Sequence, residues 1–254
     1  MVPENAIHWR EQLEGCQNWL LDGRAEFNQH GKVHEPAFLT AGAYLAMDRA
    51  FEFGITTIPA VARHMEKMEG FQAAILSRSL FEVAAMVLWA ILMPNGWMRW
   101  LGKAREEDQK TFLELTKAGG FPWAKEKLGE CEAAATVVGP SCGGMKSVLQ
   151  DIAEADKRAG SSDRVSNRSL LEYPVFYRTL SRAVHMNPAT LAMVPAQAFA
   201  SLVPRTCLYA SFNLGRAVRH LFEQDITDLI DRFILLLIGE SGVQAYQKLK
   251  TKKT

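Results

Sequence analysis

Phe71-Gln-Ala-Ala-Ile-Leu-Ser-Arg-Ser-Leu-Phe-Glu-Val-Ala-Ala-Met-Val-Leu-Trp-Ala-Ile-Leu-Met93 is apolar over most of its length. Wound as a helix, it carries apolar residues all round, the pattern of a helix enclosed by others rather than of one with a wet face. Its length would also suit a membrane span. Arg78 and Glu82 stand near its middle, however, where each charge is costly in lipid, and no second convincing span occurs. The expectation is therefore the central buried helix (71–93) of a soluble protein, with no membrane partner. Arg78 and Glu82 are four apart and share a side with Phe71, Ala85 and Trp89. Buried together they need each other, since breaking such a pair is costly even where forming it adds little.

The segments on either side read as helices too. Glu4 to about Gln29 is loosely amphipathic through Ile7, Leu13, Trp19, Leu20 and Phe27, and His30-Gly-Lys-Val-His-Glu-Pro36 reads as a break. Glu26, His30 and His34 would have metal-ligand spacing on an unbroken helix, but Gly31 and Pro36 argue against that helix, so no metal site is expected. Ala37 to Phe53 reads as a helix ending at Gly54; Thr57 and Pro59 then open a third as N-cap and early-turn proline, which stops near Gly70. Pro94-Asn-Gly96 is a turn before Trp97–Ala118, whose charge run (Lys103, Arg105, Glu106, Glu107, Asp108, Lys110) marks a solvated face. Further helices are expected over Phe121–Val138, Met145–Ala159, Arg205–Gln224 and Ile226–Ile238, the last of them a packing helix. Gly139-Pro-Ser-Cys-Gly-Gly144 is a loop with neither a phosphate-binding nor a nucleophile-elbow pattern. No strand-period alternation bounded by turn pairs occurs, so the chain is expected to be all-α: one domain over 1–254, a bundle of about eight to ten helices. Residues 160–167 are expected to be a polar linker and 248–254 a flexible basic tail.

Composition excludes little else. Apolar content of 48% with 22% charged residues is ordinary for a globular chain with a core to bury. Cys16, Cys131, Cys142 and Cys207 form no C-x-x-C pair and the N-terminus lacks an export signal, so reduced thiols and a cytoplasmic location are expected. Net charge is +1, unevenly spread: residues 1–156 hold 15 Lys and Arg against 21 Asp and Glu, and residues 157–222 hold 9 against 2. Such a basic window either faces a polyanion or pairs with the acidic first half. Asn213, Arg216, Arg219 and His220 could give it a second basic face.

Within the window, Glu172-Tyr-Pro-Val-Phe-Tyr-Arg-Thr-Leu-Ser-Arg-Ala-Val-His-Met-Asn-Pro188 has clear helix boundaries at Pro174 and Pro188. Arg178, Ser181 and His185 fall in one narrow arc with Arg182 at its edge, while Phe176, Leu180, Ala183 and Val184 take the other side. A polar arc opposite an apolar one is how a solvated surface helix looks; it is also how a helix displays a site.

Ala74-Ile-Leu-Ser-Arg-Ser-Leu-Phe-Glu82 and Tyr177-Arg-Thr-Leu-Ser-Arg-Ala-Val-His185 together resemble a group of uncharacterised microbial all-helical proteins that pair an R-S-L-x-E core helix with a later Y-x-x-L-S-x-x-x-H helix. The two motifs stand about a hundred residues apart and cover about a tenth of the chain. The second is also similar to the Arg-x(4–6)-His signature of the HEPN superfamily, many members of which are metal-independent ribonucleases in toxin–antitoxin and phage-defence systems. Arg178-x6-His185 fits the long end of that spacing, with Thr179 where those nucleases often have Asn.

The resemblance implies a ribonuclease acting on RNA as a homodimer, with an antitoxin or other protein partner and no cofactor. Cleavage without metal needs a base for the ribose 2′-hydroxyl and a cation for the pentavalent phosphate, roles that suit a histidine and an arginine. On this reading His185 is the base or acid, Arg178 holds the phosphate, and Ser181 or Tyr177 donates a hydrogen bond. Arg78, Glu82, Arg182 and Asn187 would support them. The alternative is a non-catalytic helical module that uses the same Arg/Ser/His/Glu cluster to close its core or bind a partner.

Overall fold

The structure is a computed structural model that describes residues 4–33, 41–135, 142–159, 177, 178, 180, 181 and 196–237. Helices account for its regular structure and no strand occurs among the described residues, so the fold is all-α. The helices are α1 (Glu4–Val33), α2 (Ala41–Glu66), α3 (Gly70–Leu92), α4 (Gly96–Ala118), α5 (Pro122–Ala135), α6 (Met145–Arg158), α7 (Ala196–Leu221) and α8 (residues 227–237). The expected linker 160–167 and tail 248–254 lie outside the described residues.

The expected central helix is α3. Ala73, Ala74, Ser77, Leu80, Phe81 and the whole run 84–90 are buried, and the hydroxyl of Ser77 is satisfied by donating to Ala74 O at 3.1 Å. Among the described residues α3 is the helix long and apolar enough to cross a membrane, and 56% of its apolar window is buried inside the bundle.

Contacts fix the directions of the other helices around it. Antiparallel packing of α1 and α2 brings Arg24 to Asp48 at 2.7 Å and Phe27 onto Tyr44 at 4.5 Å. A tight turn at 67–69 reverses α2 into α3. Helix α7 runs parallel to α1, as the pairs Trp19–Phe212, Glu26–Arg219 and His30–Gln224 show. Helix α8 folds back over both: Phe233 packs 4.8 Å from Phe212, Arg232 reaches Asp22 at 3.0 Å, and Gln12 Nε2 donates to Leu236 O. Each fully buried Leu, Ile or Phe in this core contributes about 1.5–3 kcal/mol.

Helices α4 and α5 form a hairpin that leaves the core. Asn95 takes a left-handed turn at φ 53°, and Gly96 sits so tightly that a Cβ there would meet Ala90 O at 2.6 Å. Beyond it, only Gly96 and Gly102 of α4 are buried, so the charge run lies outside, as a solvated face should.

Three boundaries differ from expectation. Gly54, Thr57 and Pro59 do not separate two helices but lie inside α2, with Thr57 buried. The apolar stripe Met47, Phe51, Gly54, Ile58, Val61 keeps its three-and-four spacing across the proposed break, so burying it outweighs the one backbone bond that proline removes. Gly54 serves contact instead: Leu20 packs where its Cβ would stand. The same reasoning covers α7, which begins at Ala196 and runs through Pro204 because Phe199, Val203, Cys207, Ala210 and Leu214 form one continuous buried stripe. Helix α1 likewise continues through Gly31 to Val33, where a break was expected.

Candidate functional site

Helix periodicity puts Arg78 and Glu82 one above the other on α3, and Arg78 Nη2 donates to Glu82 Oε1 at 2.9 Å. The same nitrogen donates to the hydroxyl of Tyr177 at 3.1 Å, and the guanidinium lies 4.9 Å over the Tyr177 ring. The two sequence motifs therefore meet in space. Tyr177, Arg178, Leu180 and Ser181 are helical. Leu180 is fully buried in the core, Ser181 is half-buried and Arg178 is exposed. Anchored by Tyr177 and Leu180, this turn turns the Arg178 side chain to water. Arg182, His185 and Asn187 lie outside the described residues.

A second polar cluster was not foreseen as one. Asp156, at 2% exposure, occupies the core stripe of α6 behind Val148 and Ile152, and Arg216 of α7, also 2% exposed, donates to its Oδ1. A carboxylate at i+8 from one core position and i+4 from the next was the available signal in the sequence. Burial pushes the Asp156 carboxyl above its ordinary range against the pull of the Arg216 charge and hydrogen bond, and its second oxygen is buried without a donor. His220, one turn after Arg216, is held down to about 4, first by burial and then by the Arg216 charge. The residues expected to form a second basic face are thus internal or paired. Arg219 reaches Glu26 at 3.4 Å and Asp228 at 3.1 Å, and Arg216 belongs to Asp156. Of the window's described basic residues, Arg216 and Arg219 meet acidic partners, while Lys157, Arg158, Arg178 and Arg205 are exposed.

Glu26 and His30 do share the face of an unbroken helix, yet α7 and the turn after it engage both: Arg219 takes Glu26 and Gln224 bonds His30 at 3.1 Å. His34 lies outside the described residues. Among the described residues no group of three His, Cys, Asp or Glu side chains is placed to hold a metal ion. The four cysteines are free thiols; burial pushes Cys16 up to about 12 and also raises Cys142 and Cys207.

No protein-family model, curated protein or solved structure matches the chain.

Proposed function

We propose that the protein is a HEPN-like, metal-independent ribonuclease working as a homodimer in the cytoplasm, in a defence or toxin–antitoxin setting, with Arg178, Ser181 and His185 as its catalytic residues. One observation carries the reading: an exposed Arg178 on a turn locked to the core by Tyr177 on Arg78 and by Leu180. The anchored turn fixes the backbone beneath this cation, so less backbone freedom remains to be lost when a phosphate is held there. His185, seven residues on, supplies the proton transfer and Ser181 a hydrogen bond. Arg78, Glu82 and Tyr177 position the helix, and Arg182 and Asn187 flank it.

The experiment is RNA cleavage in EDTA by the full chain and by folded Arg178→Ala and His185→Ala variants. Loss of cleavage in both supports the assignment, and cleavage unchanged in folded His185→Ala overturns it.

A second reading, a non-catalytic helical binding module, is favoured by the pairing of Arg216, Arg219 and Arg232 with carboxylates, which leaves less positive surface for RNA. No cleavage by any of these proteins, with His185→Ala markedly less heat-stable, would select it.

A further inference from the structure

Helix α4 carries a stripe of charge that repeats with the heptad. Lys103, Glu107, Lys110, Glu114 and Lys117 follow one another at steps of four, three, four and three, the spacing that keeps one line of a helix facing a partner helix. The stripe looks away from its own chain. Helix α5 meets α4 from the opposite side, where Phe112 packs 6.1 Å from Trp123, and Glu107, Lys110, Glu114 and Lys117 are all exposed. Leu113 on one edge of the stripe is 40% exposed, and Thr111 and Ala118 on the other edge are exposed as well.

We propose that this stripe is where two copies of the chain pair, α4 against α4, antiparallel about a two-fold axis at the level of Phe112. The signs on the stripe select both the partner and its direction. Acids hold one of the two seam positions of the heptad (Glu107, Glu114) and bases hold the other (Lys103, Lys110, Lys117). Reversing a helix exchanges the two positions, so in an antiparallel pair every layer sets an acid against a base; a parallel pair would set like against like throughout. A surface that meets its own copy must be self-complementary, and this one is. Residues 96–135 hold seven basic and seven acidic side chains, a balance that favours neither a polyanion nor a polycation as partner. The register that uses the fully exposed part of the stripe sets Glu107 against Lys117 and Lys110 against Glu114, each twice by symmetry. It also brings Leu113 onto its own symmetry mate, covering a leucine that one copy leaves wet. Sliding one heptad toward the bundle would engage Lys103 instead, which already donates to Gly143 O at 3.1 Å. Exposed ion pairs are individually weak and screened by salt, so the pairing is concentration- and salt-dependent. It gives the homodimer of the ribonuclease reading a surface, but it rests on the charges of α4 alone, so a failed cleavage assay leaves it standing.

Sedimentation of the full chain over a concentration series, at about 0.05 M and about 0.5 M salt, reads the pairing; dimerisation about tenfold or more weaker at the higher salt is expected. Glu107→Lys with Glu114→Lys makes the four exposed positions wholly basic, and Lys110→Glu with Lys117→Glu makes them wholly acidic. Each double variant alone should dimerise about tenfold or more weakly than the parent, while an equimolar mixture of the two should recover a mixed dimer, a recovery that a misfolded variant could not give. Direction is read by cross-linking with oxidised glutathione. Leu113→Cys should link to its own copy faster than the parent does, whereas Lys117→Cys, about 15 Å from its mate along an antiparallel seam, should not. A monomer at every concentration in low salt would leave the stripe a solvated face and overturn the proposal. A dimer unmoved by both reversals would overturn it by placing the contact elsewhere, and so would cross-linking through Lys117→Cys in preference to Leu113→Cys, the mark of parallel helices.

Discussion

Arg78 and Tyr177 stand 99 residues apart in sequence, yet one guanidinium nitrogen of Arg78 donates to the Tyr177 hydroxyl at 3.1 Å while the cation lies over the ring. The contact ties the short helical turn bearing Arg178 to the central helix, and it has a measurable energy. Tyr177→Phe removes the hydrogen bond alone and should cost about 1 kcal/mol in urea denaturation. Arg78→Ala also removes the ring contact and should cost about 2 kcal/mol, with Glu82 exposed enough to be left to water. A double-mutant cycle should return a coupling of about 1 kcal/mol; additive losses would mean the contact does not form.

Asp156 and Arg216 should behave as a buried pair does. Removing either partner, by Asp156→Ala or Arg216→Ala, leaves a lone charge in the core and should cost about 3–5 kcal/mol. Replacing both, as Asp156→Leu with Arg216→Met, should be far milder than either single change and close to neutral. Chemical denaturation of the three variants measures this directly.

Stability should fall on mild acidification, and His220 should account for part of the slope. Its folded value of about 4 lies below the ordinary 6.5, so between those values the unfolded chain takes up the proton and the folded chain does not. The contribution is fully present above pH 6.5, drains as pH falls and levels off below about 4, to a total of no more than about 3 kcal/mol and less where water still reaches the ring. Asp156 works with the opposite sign: its raised carboxyl weakens folding as pH rises through the acid range. His220→Gln should flatten the urea midpoint between pH 6.5 and 4 relative to the parent. An unchanged slope would show that this histidine is not buried neutral.

Two backbone positions predict changes of opposite sign. At Gly96 a Cβ would press on the Ala90 backbone, which cannot yield as a side-chain tip can, so Gly96→Ala should cost about 3 kcal/mol. Met68 caps α2 in the left-handed region at φ 59° with its side chain 77% exposed, so Met68→Gly should stabilise by about 1 kcal/mol. Thermal melts of the two variants give the comparison.

The all-helical class, the buried α3, the Arg78–Glu82 pair and the solvated face of α4 were legible in the sequence. Each depends on neighbours within a few residues: periodicity, composition and i,i+4 proximity are local properties. A supporting role for Arg78 beside the later motif was legible, but its partner there, the Tyr177 hydroxyl, was not. What the local signals misjudged were Gly54, Pro59 and Pro204, which read as boundaries because proline forfeits one hydrogen bond and glycine costs backbone entropy. Tertiary packing kept those helices whole, since the buried stripes of α2 and α7 run through in phase and their burial exceeds a penalty of a few kcal/mol. Packing likewise decided the fate of the basic residues. Arg216 could have been a surface cation by its own helix face; it is internal because α6 sets Asp156 against it, a partner 60 residues away that no local pattern can select.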